Sequence, residues 1–186
     1  DTEAEPRGLG SGVYVRENAS GVIDGNDIHH NADTGVKVEN FSNPVVTDCH
    51  IHDQGMNGGY ATTECTGSFS HCRFIANGST GMKIDLKACP NVFENLFEHN
   101  KAVGLLALDG GLGEIYKNTF NKNHSSQVVI ITEADPNFYS NTVTSGLKSG
   151  IACQEAGKGT LRDNDITDNC LYGIEVDTGS TVMIKE

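Results

Sequence analysis

From Gly12 onward the chain divides into consecutive segments of 23 residues, with no residue inserted or deleted. Seven full segments (12–34, 35–57, 58–80, 81–103, 104–126, 127–149 and 150–172) are followed by a partial one at 173–186. A fixed period of this length confines the fold to a solenoid. A unit so short cannot bury its own apolar face, so it must stack on its neighbours.

Aligning the segments shows what each position does. The first position is glycine in every segment except at Gln127. The second position (Val13, Val36, Gly59, Met82, Leu105, Val128, Ile151, Ile174) and the fourth (Val15, Val38, Ala61, Ile84, Ala107, Ile130, Cys153, Val176) are apolar or small. Apolar residues two apart mark a strand with one buried face. The twelfth position, from Ile23 to Leu161, and the seventeenth, from Ile28 to Ile166, add two further inward strand positions. Between them the fifteenth position reads Asn26, Cys49, Cys72, Asn95, Asn118, Asn141, Asn164. Coils stacked ~4.8 Å apart let identical amides hydrogen-bond up and down the stack, so this column predicts an asparagine ladder. Cysteine, small and tolerant of burial, fills two rungs.

The tenth position alternates Gly21, Pro44, Gly67, Pro90, Gly113, Pro136, Gly159. Glycine and proline make different backbone demands, so successive coils are expected to turn differently there, with a pair of coils as the true unit. Three short strands and three turns fill a segment and leave no room for a helix. The reading is all-β: a right-handed parallel β-helix spanning 12–186 as one domain, preceded by a linker or N-terminal cap at 1–11. A leucine-rich repeat would place leucine five residues before the ladder asparagine, where this chain has glycine or proline, and a left-handed hexapeptide helix would need a shorter coil.

The formal net charge of −12 argues against nucleic acid or an anionic membrane as partner. No apolar run approaches a membrane span, and no secretory signal is visible. Since the chain stops in mid-coil, a piece or processed form of a longer protein is expected. The six cysteines are read as free thiols rather than a disulfide framework, which points to an intracellular (cytoplasmic or nuclear) location. No cofactor is expected.

The segment GVYVRENASGVIDGNDIHHNADT, followed by GVKVENFSNPVVTDCHIHDQGMN, carries a resemblance. Its G-V-x-V opening, Gly/Pro alternation, N-x-I and IHD or IHHN endings resemble the β-helix repeats of the F-box-only protein 11 family. The broader class is the carbohydrate-binding-and-sugar-hydrolase repeat, also found in pectin-lyase-like enzymes. The resemblance runs from Gly12 to nearly the end of the chain. It implies a scaffold that recognises protein substrates within a ubiquitin-ligase-type protein, and it carries over no catalytic residue.

Function is sought on outward positions, because inward ones are spent on packing. Asp27, Asp48, His50, His52, His71 and Arg73 form a polar patch whose ligand spacing suits a metal or an acid–base pair acting on a sugar polymer. The plainer reading is a solvated strand face, so no catalytic or metal role is assigned. Leu106, Leu108, Val129 and Ile131 would form an apolar patch where other coils carry Tyr14, Arg16, Lys37, Glu39, Lys83 and Asp85, and such a patch marks an interaction site. Phe93, Tyr116 and Tyr139 would stack on another wall, as an anchor for protein or sugar or as a structural stiffener.

Three functions are weighed on this basis. A protein-interaction module using the apolar and aromatic surfaces ranks first, with a protein partner and with carbohydrate as the other partner class. A rigid structural spacer ranks second. A carbohydrate-active enzyme or carbohydrate-binding domain ranks third, because segments without insertions offer no loops to wall a catalytic cleft.

Overall fold

The computed structural model describes residues 10–186; all but the last two residues of the segment expected as a linker or cap lie outside them. Each 23-residue segment closes into one coil, and the coils stack into three parallel sheets. The first sheet holds eight strands, from Val13–Val15 to Ile174–Val176, and the second holds eight, from Ser20–Asp24 to Thr181–Lys185. The third holds seven, from Asp27–His29 to Asp165–Thr167. The register is constant: Val13 pairs with Val36, Leu106 with Val129, and Phe97 with Phe120, each one period on. There is no helix among the described residues.

The corners are made by left-handed backbone. Pairs such as Glu17/Asn18, Asn40/Phe41, Thr63/Glu64 and Leu86/Lys87 take positive φ between the first and second sheets. Single residues do so at the fourteenth position (Asp48, His71, Glu94, Lys117) and at the nineteenth (His30, Asp53, His99, Lys122). Each single left-handed residue is an extra residue in the alternation, which is why inward positions twelve and fifteen stand three apart. Left-handed backbone costs a non-glycine residue roughly 1–2 kcal/mol, so cross-coil hydrogen bonds must hold it. The Asp48 N–H, for example, donates to the Ser70 carbonyl and that of Asp53 to the Ile75 carbonyl, both at 3.2 Å.

Inward side chains form one continuous apolar core. Phe74, Phe97 and Phe120 lie one above another with ring centroids 4.8 Å apart and planes 6° from parallel. The first-position glycines make room for this column. A Cβ on Gly58, Gly81 or Gly104 would approach the Cδ1 of Phe74, Phe97 or Phe120 to 2.7–2.8 Å, closer than carbon atoms approach.

The asparagine ladder runs through Asn95, Asn118, Asn141 and Asn164. Each Nδ2 donates to the Oδ1 of the next rung at 3.0–3.1 Å. Each of these amides also donates to a main-chain carbonyl of the preceding coil, as Asn118 does to Val92 at 2.9 Å. Cys49 and Cys72 hold their expected rungs, and their thiols donate to the corresponding carbonyls of Ile23 and Val46. Asn26 departs from the expectation. It is exposed and donates to the Asp24 carbonyl of its own coil, because a cysteine at the next rung offers no amide oxygen.

A second ladder, not anticipated from the sequence, occupies the twentieth position. Asn77, Asn100 and Asn123 connect at 2.9 Å, and Asn31 donates to Gln54 at 3.0 Å. It breaks at Gly146, and here the exception in the glycine column finds its reason. Gln127 extends from the first position into the space an asparagine at 146 would fill. Its Oε1 accepts from Asn123 Nδ2, and its Nε2 donates to the Thr144 carbonyl at 2.7 Å. The side chain fits because Gly146 brings no amide and because Val143 is smaller than the phenylalanines of the same column.

The Gly/Pro alternation has a packing basis at three levels. Gly67, Gly113 and Gly159 adopt φ of +96°, +131° and +135°, and a Cβ on them would lie 2.5–2.9 Å from the carbonyl oxygens of Pro44, Pro90 and Pro136. Gly21 has open space around it and no left-handed φ, so the pairing of coils begins above it.

Candidate functional site

Flat walls without loops leave only outward side chains to make a site. The three walls differ in chemistry. On the third sheet, parallel register sets Asp27 beside His50 and His29 beside His52. His52 is gripped from two sides: its Nε2 is 2.9 Å from Asp27 Oδ1 and its Nδ1 is 2.7 Å from Asp53 Oδ2. His50 stacks on His52 at 4.1 Å and brings its Nδ1 to 3.7 Å from the same Asp27 oxygen. His29 stacks on the other side of His52 at 5.0 Å, and its Nδ1 meets the Nδ1 of His30 at 2.7 Å.

The two central imidazoles are pushed apart electrostatically. Burial works to lower His52, but its hydrogen bonds to Asp53 and Asp27 outweigh this and hold it above the ordinary histidine range. His50 sits below that range, through burial and then the charges of His52 and Arg73. Asp53 is held low chiefly by its bond to His52.

Of the six residues singled out in the polar patch, Asp27, His50 and His52 converge. The other three do not join them. Asp48 and His71 stand at left-handed bends rather than on strands. Asp48 accepts a bond from Thr47 Oγ1, and His71 Nε2 pairs with Glu94 at 2.8 Å. Arg73 lies beside His50 in register but on its far side from Asp27. Asp53 and His30 belong to the cluster although strand alternation alone does not place them, because both occupy bends. A shallow groove of about 890 Å³ begins at Asp53 and His30 and runs along the return turns past Gly55 and Gly78 to Lys101.

The first sheet carries two chemistries. At its N-terminal end the outward third position alternates Tyr14, Lys37, Tyr60, Lys83 along consecutive rungs. Lys37 lies 5.0 Å from the Tyr14 ring and 5.7 Å from that of Tyr60; Lys83 lies 4.6 Å from the Tyr60 ring. Lys37 also pairs with Glu39 and Lys83 with Asp85, both at 2.9 Å. The hydroxyls of Tyr14 and Tyr60 donate to the same two carboxylates. This polar network ends at Lys83. The next rungs are Leu106, Val129 and Ala152, with Leu108 and Ile131 beside them. Leu106, Leu108, Val129 and Ile131 all face outward and are half-buried by one another and by the sheet.

On the second sheet Phe93, Tyr116 and Tyr139 stack as expected, at 5.2 and 5.1 Å and 6° from parallel. Arg162 lies over the Tyr139 ring at 4.0 Å, and His71 meets Phe93 edge-on at 6.2 Å. The ring faces are therefore turned on each other, and the stack presents edges and hydroxyls to solvent.

All six cysteines are free. Burial pushes the thiols of Cys65 and Cys72 up to about 12 and that of Cys153 to about 11, so at neutral pH they act as small core residues rather than nucleophiles.

Comparison with known proteins agrees with this architecture. No curated protein matches the chain. The family model describing a right-handed β-helix region matches residues 7–124 and 88–186, which together take in nearly every coil. With its constant period, parallel three-sheet stack and this match, the chain belongs to the right-handed β-helix family.

Proposed function

We propose that this β-helix is a protein-recognition module whose docking surface is the apolar panel of the first sheet. The observation that carries the reading is the change along that wall from a hydrogen-bonded and ion-paired Tyr–Lys–carboxylate network to four half-buried aliphatic side chains: Leu106, Leu108, Val129 and Ile131. The polar residues next to the panel are tied to one another by ion pairs and hydrogen bonds, whereas the outward aliphatic surface gains free energy only from contact with a partner. Burying apolar surface yields roughly 25 cal/mol per Å², so a rigid panel with little side-chain entropy to lose suits a protein partner. The net charge of −12 favours a partner with a basic rim.

The stack of Phe93, Tyr116 and Tyr139 supports the same reading at a second contact. Sugar recognition by aromatic residues uses a free ring face, and these rings offer edges, which suit protein side chains. On its resemblance to F-box-only protein 11 repeats, we read such a module as part of a larger ubiquitin-ligase-type or scaffold protein. The polar wall has no loop to enclose a substrate, which disfavours a glycosidase or lyase role for it.

Affinity capture compared between the native protein and the Leu106→Asp/Ile131→Asp variant tests this. The variant is expected to fold, because both side chains face outward, and to lose the captured partners. A Tyr116→Ala/Tyr139→Ala variant is expected to weaken capture less. A variant with a native circular dichroism spectrum and an undiminished set of captured proteins would refute the interface.

A further inference from the structure

The His/Asp cluster on the third sheet does more than solvate a strand. If His52 is neutral and donates its Nδ1–H to Asp53, 2.7 Å away, its Nε2 carries a lone pair aimed at Asp27 Oδ1 at 2.9 Å. A proton on Nε2 bridges this pair as a hydrogen bond, and a metal ion can take the proton's place where a further ligand stands close by. A third donor is present: His50 Nδ1 stands 3.7 Å from that oxygen, and one ligand atom each from Asp27, His50 and His52 lies within 4.8 Å of the others. Nitrogen and oxygen ligands at about 2.0–2.2 Å from a tetrahedral ion stand roughly 3.3–3.6 Å apart, so small side-chain rotations bring the three donors to an ion.

The surroundings match what a metal-binding histidine needs. Such a histidine usually donates its other ring N–H to a carboxylate, which fixes the tautomer and raises its basicity. Asp53 holds His52 in this way, and the left-handed bend at Asp53, φ 51°, aims the carboxylate back at the ring. His50 and His52 leave the same face of one three-residue strand, and Asp27 reaches them from the coil before.

We infer that Asp27, His50 and His52 form a divalent transition-metal site of the zinc type, with Asp53 as the positioning residue of His52, and that the bound ion ties the first coil to the second. Two imidazoles and one carboxylate select Zn²⁺, with Ni²⁺ and Cu²⁺ as competitors, over Mg²⁺ and Ca²⁺. The remaining coordination position faces solvent and takes water. The inward residues Val13, Val15 and Ile23 of the first coil are only partly buried, whereas their counterparts in the second, Val36, Val38 and Val46, are fully buried.

The test is calorimetric titration of the chelator-treated protein with ZnCl₂, together with amide hydrogen exchange. The native protein is expected to bind one Zn²⁺ and to show slowed exchange over residues 13–29. Asp27→Ala and His52→Ala should weaken binding by about 100-fold and Asp53→Asn by about 10–100-fold, the range typical of an outer-sphere partner. A His29→Ala/His30→Ala variant should stay within about 3-fold of native, and MgCl₂ and CaCl₂ should produce no heat. Asp27→Asn and His52→Gln stand in if either alanine variant loses its native melting transition. No saturable 1:1 binding below about 100 µM Zn²⁺ overturns the inference. So does binding that survives loss of Asp27 and His52 but disappears with His29 and His30, or binding without any slowing of exchange over the first coil.

Discussion

Gln127 and Gly146 offer the sharpest test of how this stack is held together. In the coils before it the second ladder uses an asparagine, or Gln54 in the second coil, at the twentieth position above a glycine at the first; here the amide has moved from one position to the other. Gln127→Gly removes a buried hydrogen bond from Asn123 Nδ2 and a part-buried one to the Thr144 carbonyl at 2.7 Å. It leaves both partners unsatisfied beside a new void. With an unmet buried polar group worth about 1–3 kcal/mol, a loss of roughly 3 kcal/mol follows. Gly146→Asn alone drives a side chain into an occupied space, since a Cβ there would sit 3.1 Å from Gln127 Cγ and 2.9 Å from Asn169 Oδ1. Overpacking of this kind costs about 1–3 kcal/mol. The double variant rebuilds the regular rung: Asn123 regains an amide oxygen, the new Nδ2 faces the Asn169 oxygen, and the glycine column becomes unbroken. Its stability should return to within about 1 kcal/mol of native, giving a coupling energy of at least about 3 kcal/mol against the sum of the singles. Urea unfolding of the four proteins measures this. Single-variant costs that add in the double would show that Gln127 does not replace the missing rung, and the account of the second ladder would fall.

Three further outcomes follow from the same physics. Asn118→Ala removes bonds to Val92 and Asn141 and strips acceptors from the N–H and Nδ2 of Asn95, so the urea midpoint should fall by the equivalent of about 2–3 kcal/mol; an unchanged midpoint would place this column outside the stability of the stack. In a native thiol assay at pH 8, exposed Cys170 should react at once, Cys89, whose thiol is raised by burial and then by the Glu114 charge, more slowly, and the four buried cysteines only after unfolding; prompt reaction of Cys65 or Cys72 would contradict their burial. The hydroxyl of Tyr14, and then the Lys37 ammonium, hold Glu39 below its ordinary value of 4.5, so its stabilisation is complete above that value and is lost as pH falls through the lower folded one. Glu39→Gln should therefore flatten part of the acid limb of the stability profile below about pH 4.5, read from melts at stepped pH, and an identical acid limb would show that the carboxylate is not engaged.

The period, the three strands per coil and the ladder from Asn95 to Asn164 were legible in the sequence because stacking repeats one environment every 23 residues. The second ladder was equally present in the twentieth position, as Asn31, Gln54, Asn77, Asn100, Asn123 and Asn169. It went unread because Gln54 and Gly146 interrupt it and the compensating Gln127 sits in another column. The His/Asp cluster was half legible. Alternation placed Asp27, His50 and His52 on one face, but it also placed Asp48 and His71 there, because it has no term for a bend in which residues such as aspartate, histidine, lysine and glutamate all take left-handed φ. For the same reason it did not bring Asp53 to His52. Asn26 shows the limit of reading a column alone: a ladder rung is defined by its neighbour, and Cys49 offers none.

The way the stack is built explains where its chemistry can lie. A coil of constant length has no spare residues for loops, so neither a deep cleft nor a closed lid can form, and each wall is limited to what pairs of outward positions repeat. Along the first sheet that repetition gives a Tyr–Lys–carboxylate network and then, from Leu106, an aliphatic panel. Along the third it gives one place where two histidines of one strand meet an aspartate of the strand before. Both departures are made by changing outward residues alone, while the inward columns beneath them (Leu105, Ala107, Val128 and Ile130 under the panel, Ile28 and Ile51 under the cluster) keep the ordinary repeat. Core and surface are thus largely separable in this fold: a substitution at Leu106 changes what the wall can hold without changing what holds the wall, whereas one at His52 also removes a side-chain tie between the first two coils.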